Sequence, residues 1–275
     1  SGSLATLQDP EIKAYAEKAF NEEFYLDTNS KVFDIEKTAV GVKVSYQNKL
    51  GQQVSEVFSY ILAATGRVPN VDKLGLENTE VQLDSRGVPI FNRHTLQSNS
   101  KHIFIAGDAN NDSSLLHEAA DEGRIAGANA GRYPKVKPEL RSTALGIVFT
   151  EPQIANVGLN INEIKEHFGN DFSFGGVSFE GQGRSRVMAK NKGILKVYAE
   201  KLTGELLGAE MFGPAAEHIG HLLSWAVQQR LTVDEILAMP FYHPVIEEGV
   251  RTAFRDAKTK LAEELDQHET VGSVA

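Results

Sequence analysis

Apolar positions in the first part of the chain recur at helical spacing. In "DPEIKAYAEKAFNEEF" the apolar residues share one helical face: Ile12, Tyr15, Ala16, Ala19 and Phe20. Asp9 is a suitable N-cap, and Pro10 suits the first helical position. The pattern predicts a helix with one buried stripe.

The next apolar positions alternate with a period of two, which is typical of strands. Val40, Val42, Val44 and Tyr46 alternate with other residues, and "NKLGQQ" then indicates a turn. An extended pattern resumes over 54–64 and ends in "YILAATGRVPN". We expect a hairpin that leads into a buried strand.

The middle of the chain predicts a strand, a glycine turn and a helix in succession. The strand is "HIFIAGDA" and the helix is "LLHEAADEGRIAGANAG". Gly107 permits a tight turn, and Asp108 follows the strand at the edge where ligands of open α/β sheets bind. Its carboxylate suits a sugar or ribityl hydroxyl, but the spacing fits equally well a residue that caps the following helix. A calcium loop is excluded, because Ser113 and Ala119 stand where that loop needs Gly and Glu.

From about Lys135 onward, strand-like runs precede two helices. The runs are "ALGIVF", "GILKVYAE" and "ELLGAEMFG", with a hairpin turn at 203–205, and the helices begin near Pro214 and Pro244. The order of elements predicts a chain of α/β and α+β class. The nearest glycine pattern to a nucleotide loop, "GQGRSR", has no strand–turn–helix context, so we interpret it as a turn.

Composition narrows the classes of function. A net charge of −9 without a basic stripe argues against nucleic acid or an anionic membrane as partner. There is no cysteine, so neither a disulfide nor a cysteine metal site can form within the chain. Because no apolar run approaches the about 20 residues that span a bilayer, we expect a soluble, cytoplasmic protein.

The segment "FYHPVIEEGV" carries the strongest candidate chemistry. Pro244 suits the first position of a helix and disfavours a helical backbone at His243, so the imidazole would stand just outside that helix. A carboxylate on Glu247 or Glu248 could accept the Nδ1–H and make the other nitrogen a better base. The alternative is that both glutamates are first-turn acids favoured by the helix dipole. His218 and His221 stand three apart on a helix without a third ligand, so we predict no metal site there.

Four motifs occur in the order found in one enzyme family. They are "ILAATGRVPNVDKLGLE", "IFIAGDANND…LLHEAADEG", "GRSRVMAKNKGILKVYAEKLTGELLGAEMFGPAAEHIGHL" and "HPVIEE". The chain resembles the flavin-dependent pyridine nucleotide–disulfide oxidoreductases, and within them the dihydrolipoamide dehydrogenases. Members of that family also carry two GxGxxG loops and a CxxxxC disulfide, which are absent here. We therefore expect this chain to be the carboxyl-terminal part of a longer enzyme, inactive by itself and without tightly bound FAD.

The resemblance implies three regions. Residues 1–66 would be the latter part of an NAD-binding domain, 67–134 the returning part of an FAD-binding domain, and 135–275 an interface domain that forms a homodimer. Both nucleotide-binding parts would be Rossmann-like, and the interface domain α+β.

The resemblance also implies roles for single residues. Gly66 would approach the NAD closely, Asp108 after Gly107 would hold the flavin ribityl hydroxyls, and the amides of Leu115, Leu116 and His117 would face the flavin pyrimidine ring. His243 would be the catalytic base and Glu248, at the fifth position after it, would orient the imidazole. The substrate would be a small dithiol or a lipoyl domain, while the choice of dithiol and of NAD or NADP stays open.

Two other functions stay open. The chain could be a dimerisation or scaffold module without catalysis, or part of an NADPH disulfide reductase similar to glutathione reductase. Mercuric reductases are disfavoured because they carry a cysteine pair near the end. Soluble transhydrogenases are disfavoured because they lack the histidine of the HP motif.

Overall fold

The computed structural model describes residues 2 and 4–272, which form two compact units. One unit combines Ser1–Ile61 with Thr143–Ala275, and the other is Leu62–Ser142. The helices of the described residues are α1 Pro10–Asn21, α2 Leu116–Arg132, α3 Ile161–Phe168, α4 Gly183–Val187, α5 Ala216–Gln228, α6 Val233–Leu237 and α7 Glu248–Gly272. The strands are β1 Lys31–Thr38, β2 Gly41–Gln47, β3 Gln53–Phe58, β4 Leu145–Val148, β5 Gln153–Gly158, β6 Phe172–Ser178, β7 Ile194–Glu200 and β8 Leu206–Gly213. The fold is mixed α and β, as predicted.

The first helix and hairpin follow the sequence pattern closely. Asp9 caps α1, and its carboxylate accepts hydrogen bonds from the amides of Glu11 and Ile12. Strands β1, β2 and β3 then form an antiparallel sheet in that order. The predicted helix and hairpin are therefore confirmed.

A five-stranded antiparallel sheet forms the centre of the larger unit, with strand order β4-β5-β8-β7-β6. Every residue of β8 is buried, as expected for a strand covered on both faces. Helices α5 and α7 contribute Ile219, Leu223, Val250 and Phe254 to the core on this sheet. The predicted strands and the hairpin turn between β7 and β8 are confirmed.

The smaller unit has little regular structure besides α2. Its apolar core consists of Leu96, Ile125 and Ala126, with Phe91, Phe104 and Ala106 packed against it. A short 3₁₀ turn, Gly107–Asn110, precedes α2.

One predicted strand does not form, and another forms only in its first part. "HIFIAGDA" makes only one isolated bridge, between Gln97 and Phe104, so it lacks the ladder that defines a strand. The extended run over 54–64 forms a strand only as far as Phe58, the end of β3, and beyond it Tyr60 and Leu62 are exposed. Both runs have the apolar composition of buried strands, but the described residues place no continuous strand beside them.

The last helix begins later than predicted. Residues 244–247 form a turn, and α7 starts at Glu248. A helix from Pro244 would need the Gly249 amide to bond the carbonyl of Val245, but it donates to Ile246 O at 2.9 Å instead. The "GQGRSR" segment likewise differs from a simple turn, because it continues into the short helix α4, capped by Gln182.

Candidate active site

His243 lies in the loop that joins α6 to α7, in the larger unit. Its side chain is 80% exposed, and its Nδ1 is 2.9 Å from Glu248 Oε1. The peptide bond between His243 and Pro244 is cis. The structure thus brings the predicted histidine and glutamate together at the start of α7.

The Glu248 carboxylate is fixed by two donors. Oε1 faces the imidazole, and Oε2 accepts from the amide of Val245 at 3.2 Å. The hydrogen bond from His243, with a smaller contribution from the Val245 amide and the nearby Arg251 charge, holds the pKa of Glu248 below its usual range. The carboxylate is therefore ionised at neutral pH and can only accept a hydrogen bond, which assigns the ring proton to Nδ1. The Nε2 lone pair is left free to take a proton.

The adjacent glutamate has different surroundings. Glu247 is half-buried at the edge of an apolar groove, and its side chain makes no hydrogen bond or ion pair with the residues that the structure describes. Of these two adjacent glutamates, Glu248 is the one that contacts the imidazole in the described part of the chain.

The apolar groove, of about 520 Å³, lies beside His243. Helix α5, the α6–α7 loop and the start of α7 line it, and two large aromatic side chains there are strongly exposed: Trp225 at 64% and Tyr242 at 79%. Exposed aromatic surface of this kind is typical of contact faces between proteins.

Asp108 lies in the 3₁₀ turn of the smaller unit. Gly107 before it has φ +71°, and a Cβ there would lie 3.1 Å from Ala119 Cβ, so the turn and its packing both favour glycine. Asp108 Oδ2 is 3.1 Å from Arg67 Nη1, and Arg67 also donates to the carbonyl of Ser114. The alternative that Asp108 caps α2 is wrong, because the N-cap is Leu115 and no side chain caps this helix.

At the start of α2 the amides of Leu116 and His117 donate to no acceptor in the described part of the chain, whereas the Leu115 amide donates to the carbonyl of Ser113 at 2.9 Å. The first amides of a helix have no intrahelical acceptor, and the helix dipole makes this end favourable for negative charge. Leu116 is 88% exposed, and the His117 side chain is 59% exposed. An uncapped helix start preceded by a carboxylate in the same unit has the donors and acceptor that a flavin ring and its ribityl hydroxyls need.

Gly66, in the same unit, has φ +97°, and no atom lies within 4 Å of the position that a Cβ would take. The backbone conformation favours glycine, and the open space leaves room for a ligand against the main chain. This is compatible with a nicotinamide cofactor.

Sequence reasoning missed the residues that hold the Gly107–Asn110 turn. Glu122 is fully buried, and its Oε2 accepts from the Gly107 amide at 2.5 Å and from Asn110 Nδ2 at 2.6 Å. Its Oε1 is 2.8 Å from Nη1 of Arg141, which also binds Glu118 at 2.6 Å. The available signal was an acidic residue on the buried stripe of α2, where a charge needs partners.

The other histidines make no metal centre. The described residues contain no group of three or more side chains that could hold a metal ion. On α5, His221 Nδ1 lies 2.6 Å from the Glu217 carbonyl, and His218 is exposed. Each helix in the described part of the chain is too short or too polar to cross a bilayer.

Two family models match the chain one after the other. The model described as "pyridine nucleotide-disulphide oxidoreductase" matches residues 3–123, and that of the dimerisation domain matches residues 145–254. The chain belongs to the pyridine nucleotide–disulfide oxidoreductases. The family resemblance predicted from the four motifs is thus confirmed, as is the predicted fold class with a dimerisation domain.

Curated relatives in this family include a dihydrolipoyl dehydrogenase of Rhizobium etli, 29% identical over 256 residues, which cover 93% of this chain and 53% of the relative. A mercuric reductase of Staphylococcus aureus is also 29% identical, over 92% of this chain and 46% of the relative. The chain spans about half the length of the curated relatives that it matches.

Solved structures of the family are similar as well. LpdA from Mycobacterium tuberculosis is 26% identical with a TM-score of 0.76, over 90% of this chain and 52% of the other. The flavoprotein disulfide reductase RclA from Escherichia coli has a TM-score of 0.77 at 20% identity, over 92% and 57% of the two chains, which shows the fold alone.

Proposed function

We propose that this chain supplies the acid–base pair, the dimer face and part of both cofactor sites of a dihydrolipoamide dehydrogenase-like enzyme. The hydrogen bond of 2.9 Å between His243 Nδ1 and Glu248 Oε1 carries this proposal, because it places the ring proton on Nδ1 and leaves Nε2 of an 80% exposed side chain to act as the proton acceptor. In the intact enzyme a dithiol is oxidised to a disulfide, with NAD⁺ as the final acceptor.

The histidine takes the proton of the attacking thiol. A thiolate is the nucleophile in dithiol–disulfide exchange, so removal of this proton starts the reaction. His243 Nε2 accepts the proton, and the ionised Glu248 stabilises the imidazolium that results. The ion pair between the imidazolium of His243 and the Glu248 carboxylate forms when the thiol proton is accepted and is lost when the imidazole releases it.

The cofactor-binding residues are proposed because their chemistry fits the groups that they would contact. Asp108 would accept from ribityl hydroxyls, and the helix start at Leu115–His117, where the amides of Leu116 and His117 have no acceptor in the described part of the chain, would face the flavin pyrimidine ring. Gly66 would let the nicotinamide cofactor approach the main chain. When bound, FAD and NAD supply the electron and hydride transfer that amino-acid side chains cannot perform.

The homodimer would form through the apolar groove beside His243. The match to a dimerisation domain over residues 145–254 supports this, as does the exposure of Trp225 and Tyr242. Since the groove and His243 share one loop, dimer formation would bring the base to a site completed by the partner subunit.

Steady-state assays of the intact flavoprotein that contains this chain test the proposal. We expect dihydrolipoamide-dependent reduction of NAD⁺, and little reduction of glutathione disulfide or Hg²⁺ with NADPH. Preference for glutathione disulfide with NADPH would instead support the glutathione reductase-like alternative. If no dithiol, disulfide or mercuric substrate were turned over, the scaffold alternative would be correct.

A further inference from the structure

Gln182 contacts the loop that carries His243, although it lies in a different part of the larger unit. It lies between β6 and β7, directly before α4, and is half-buried. Its Nε2 donates to the carbonyl of Val245 at 2.7 Å, across 63 positions of the chain. This contact ties one loop of the larger unit to the residue that follows the His243–Pro244 peptide.

Val245 connects Gln182 to the acid–base pair. While its carbonyl accepts from Gln182, its amide donates to Glu248 Oε2 at 3.2 Å. Gln182 therefore holds the carbonyl of Val245, and the amide of Val245 holds the Glu248 carboxylate.

The same carbonyl lies just before the start of α7. It accepts from Gln182, while the Gly249 amide donates to the carbonyl of Ile246. The helix starts at Glu248, which places the carboxylate beside the imidazole rather than within a first turn that begins at Pro244.

Gln182 is itself fixed to the core. Its Oε1 accepts from the amide of Ser185 at 2.6 Å, and the Ser185 hydroxyl donates to the carbonyl of Phe179 at 2.6 Å. Phe179 is fully buried and packs on α7, where a Cβ at Gly249 would lie 2.8 Å from its ring. The Gln182 side chain therefore has little freedom to follow a moving loop.

We propose that Gln182 is a positioning residue for the His243–Glu248 pair, acting through the peptide groups of Val245. The inference rests on the proposed acid–base function of that pair. It assigns to the loop of "GQGRSR" a role in holding the imidazole in one tautomer and one orientation.

The test separates the two hydrogen bonds of the Gln182 amide. In Gln182→Ser, a serine can still cap α4, since serine is a favourable N-cap, but it cannot reach Val245. In the matched control Ser185→Ala, the Gln182 side chain keeps its contacts with the Val245 carbonyl and the Ser185 amide, while the hydroxyl that bonds the carbonyls of Phe179 and Gln182 is lost. Both are made in the 275-residue chain, and the ¹⁵N chemical shifts of the His243 ring report which nitrogen carries the proton.

We expect one tautomer, with the proton on Nδ1, in the wild type and in Ser185→Ala. Gln182→Ser should show a mixture of both tautomers, and the pKa of Glu248 should rise towards its ordinary value as its hydrogen bonds weaken. In the intact enzyme the same variant should lower kcat on the order of tenfold to hundredfold, the cost of misplacing a reacting group.

A wild-type tautomer signature in Gln182→Ser would overturn the inference. An equal change in Ser185→Ala would also overturn it, because the effect would then belong to α4 as a whole. If the tautomer changes as expected but His243→Gln does not affect turnover, the positioning role stands and the proposed catalytic function fails.

Discussion

Two adjacent glutamates show how position decides the chemistry of a single residue. Glu248 accepts from the imidazole and from a main-chain amide, whereas Glu247 lies at the edge of the apolar groove. The sequence made the pairing of His243 with a glutamate predictable through their spacing. Spacing alone did not distinguish the two acids, whereas the family resemblance selected Glu248.

Glu248→Gln should reduce turnover of the intact enzyme by about tenfold to hundredfold, because a hydrogen bond to a charged group contributes about 1.5–3 kcal/mol. Glu247→Gln, which changes the same group one position away, should have almost no effect. Steady-state kcat of both variants is the measurement. A larger loss in Glu247→Gln would show that the wrong glutamate has been assigned.

The dependence of the free energy of unfolding on acidic pH gives a second prediction for a single residue. The native pKa of Glu248 is lowered, chiefly by His243, so its contribution to the free energy of unfolding is present above the unfolded value of about 4.3 and is lost as the pH falls through the native value. His243→Gln should raise the Glu248 pKa towards its ordinary value, so the free energy of unfolding should no longer fall with pH on account of Glu248. Carboxyl ¹³C titration by NMR measures it, and an unchanged Glu248 pKa in the variant would contradict the assignment of His243 as the main cause.

At the scale of elements, close packing of α7 on β6 depends on one glycine. A Cβ at Gly175 would lie 2.0 Å from the carbonyl oxygen of Ala253 and 2.7 Å from Ala257 Cβ. At Gly176, on the opposite face of the strand, the nearest atoms are 3.6 Å and 3.8 Å away. The helix that carries Glu248 can therefore approach the sheet only where residue 175 has no side chain.

Gly175→Ala should destabilise the protein by at least about 1–3 kcal/mol, the usual cost of overpacking a core, because main-chain atoms must move. Gly176→Ala should leave the free energy of unfolding nearly unchanged. Urea unfolding of both variants, followed by far-UV circular dichroism, measures the difference. Equal stabilities would show that α7 does not lie against β6 as described.

The elements also show where sequence patterns fail. Periodicity predicted α1 and three strands of the five-stranded sheet, β4, β7 and β8, whose apolar residues pack in the core, but it did not predict β5 and β6. It also predicted the first hairpin, whose strands pair although most of their residues are exposed. It was wrong for the runs around Tyr60 and Phe104, whose apolar residues resemble those of strands but pair with little or nothing in the described residues.

The Gly107–Asn110 turn illustrates a different limit. Its conformation depends on Glu122 and, through it, on Arg141, which lies 19 positions further along the chain. Buried charge pairs of this kind leave no periodic signal in a sequence. They can be suspected only from a charged residue on an otherwise buried helical face.

For the whole molecule, dimer formation through the apolar groove can be followed with the single tryptophan. Trp225 is 64% exposed in the isolated chain, so its emission should shift to shorter wavelength as the protein concentration rises and the partner covers it. Leu222→Glu, which places a charge on the same groove, should weaken the dimer in sedimentation equilibrium.

Leu202→Glu is the matched control, since Leu202 is 87% exposed and lies outside the groove. It should leave the dimer intact. A dimer that survives Leu222→Glu but not Leu202→Glu would place the contact on another face.

The central claim concerns the whole enzyme, since a base on this chain has meaning only with a dithiol and its acceptor. The most direct measurement is the steady-state turnover of the intact flavoprotein with His243→Gln. We expect kcat to fall by about 10²–10⁴, the usual contribution of a positioned general base, while flavin content and dimer mass stay the same. Turnover equal to that of the wild type would contradict the assignment of His243 as the base.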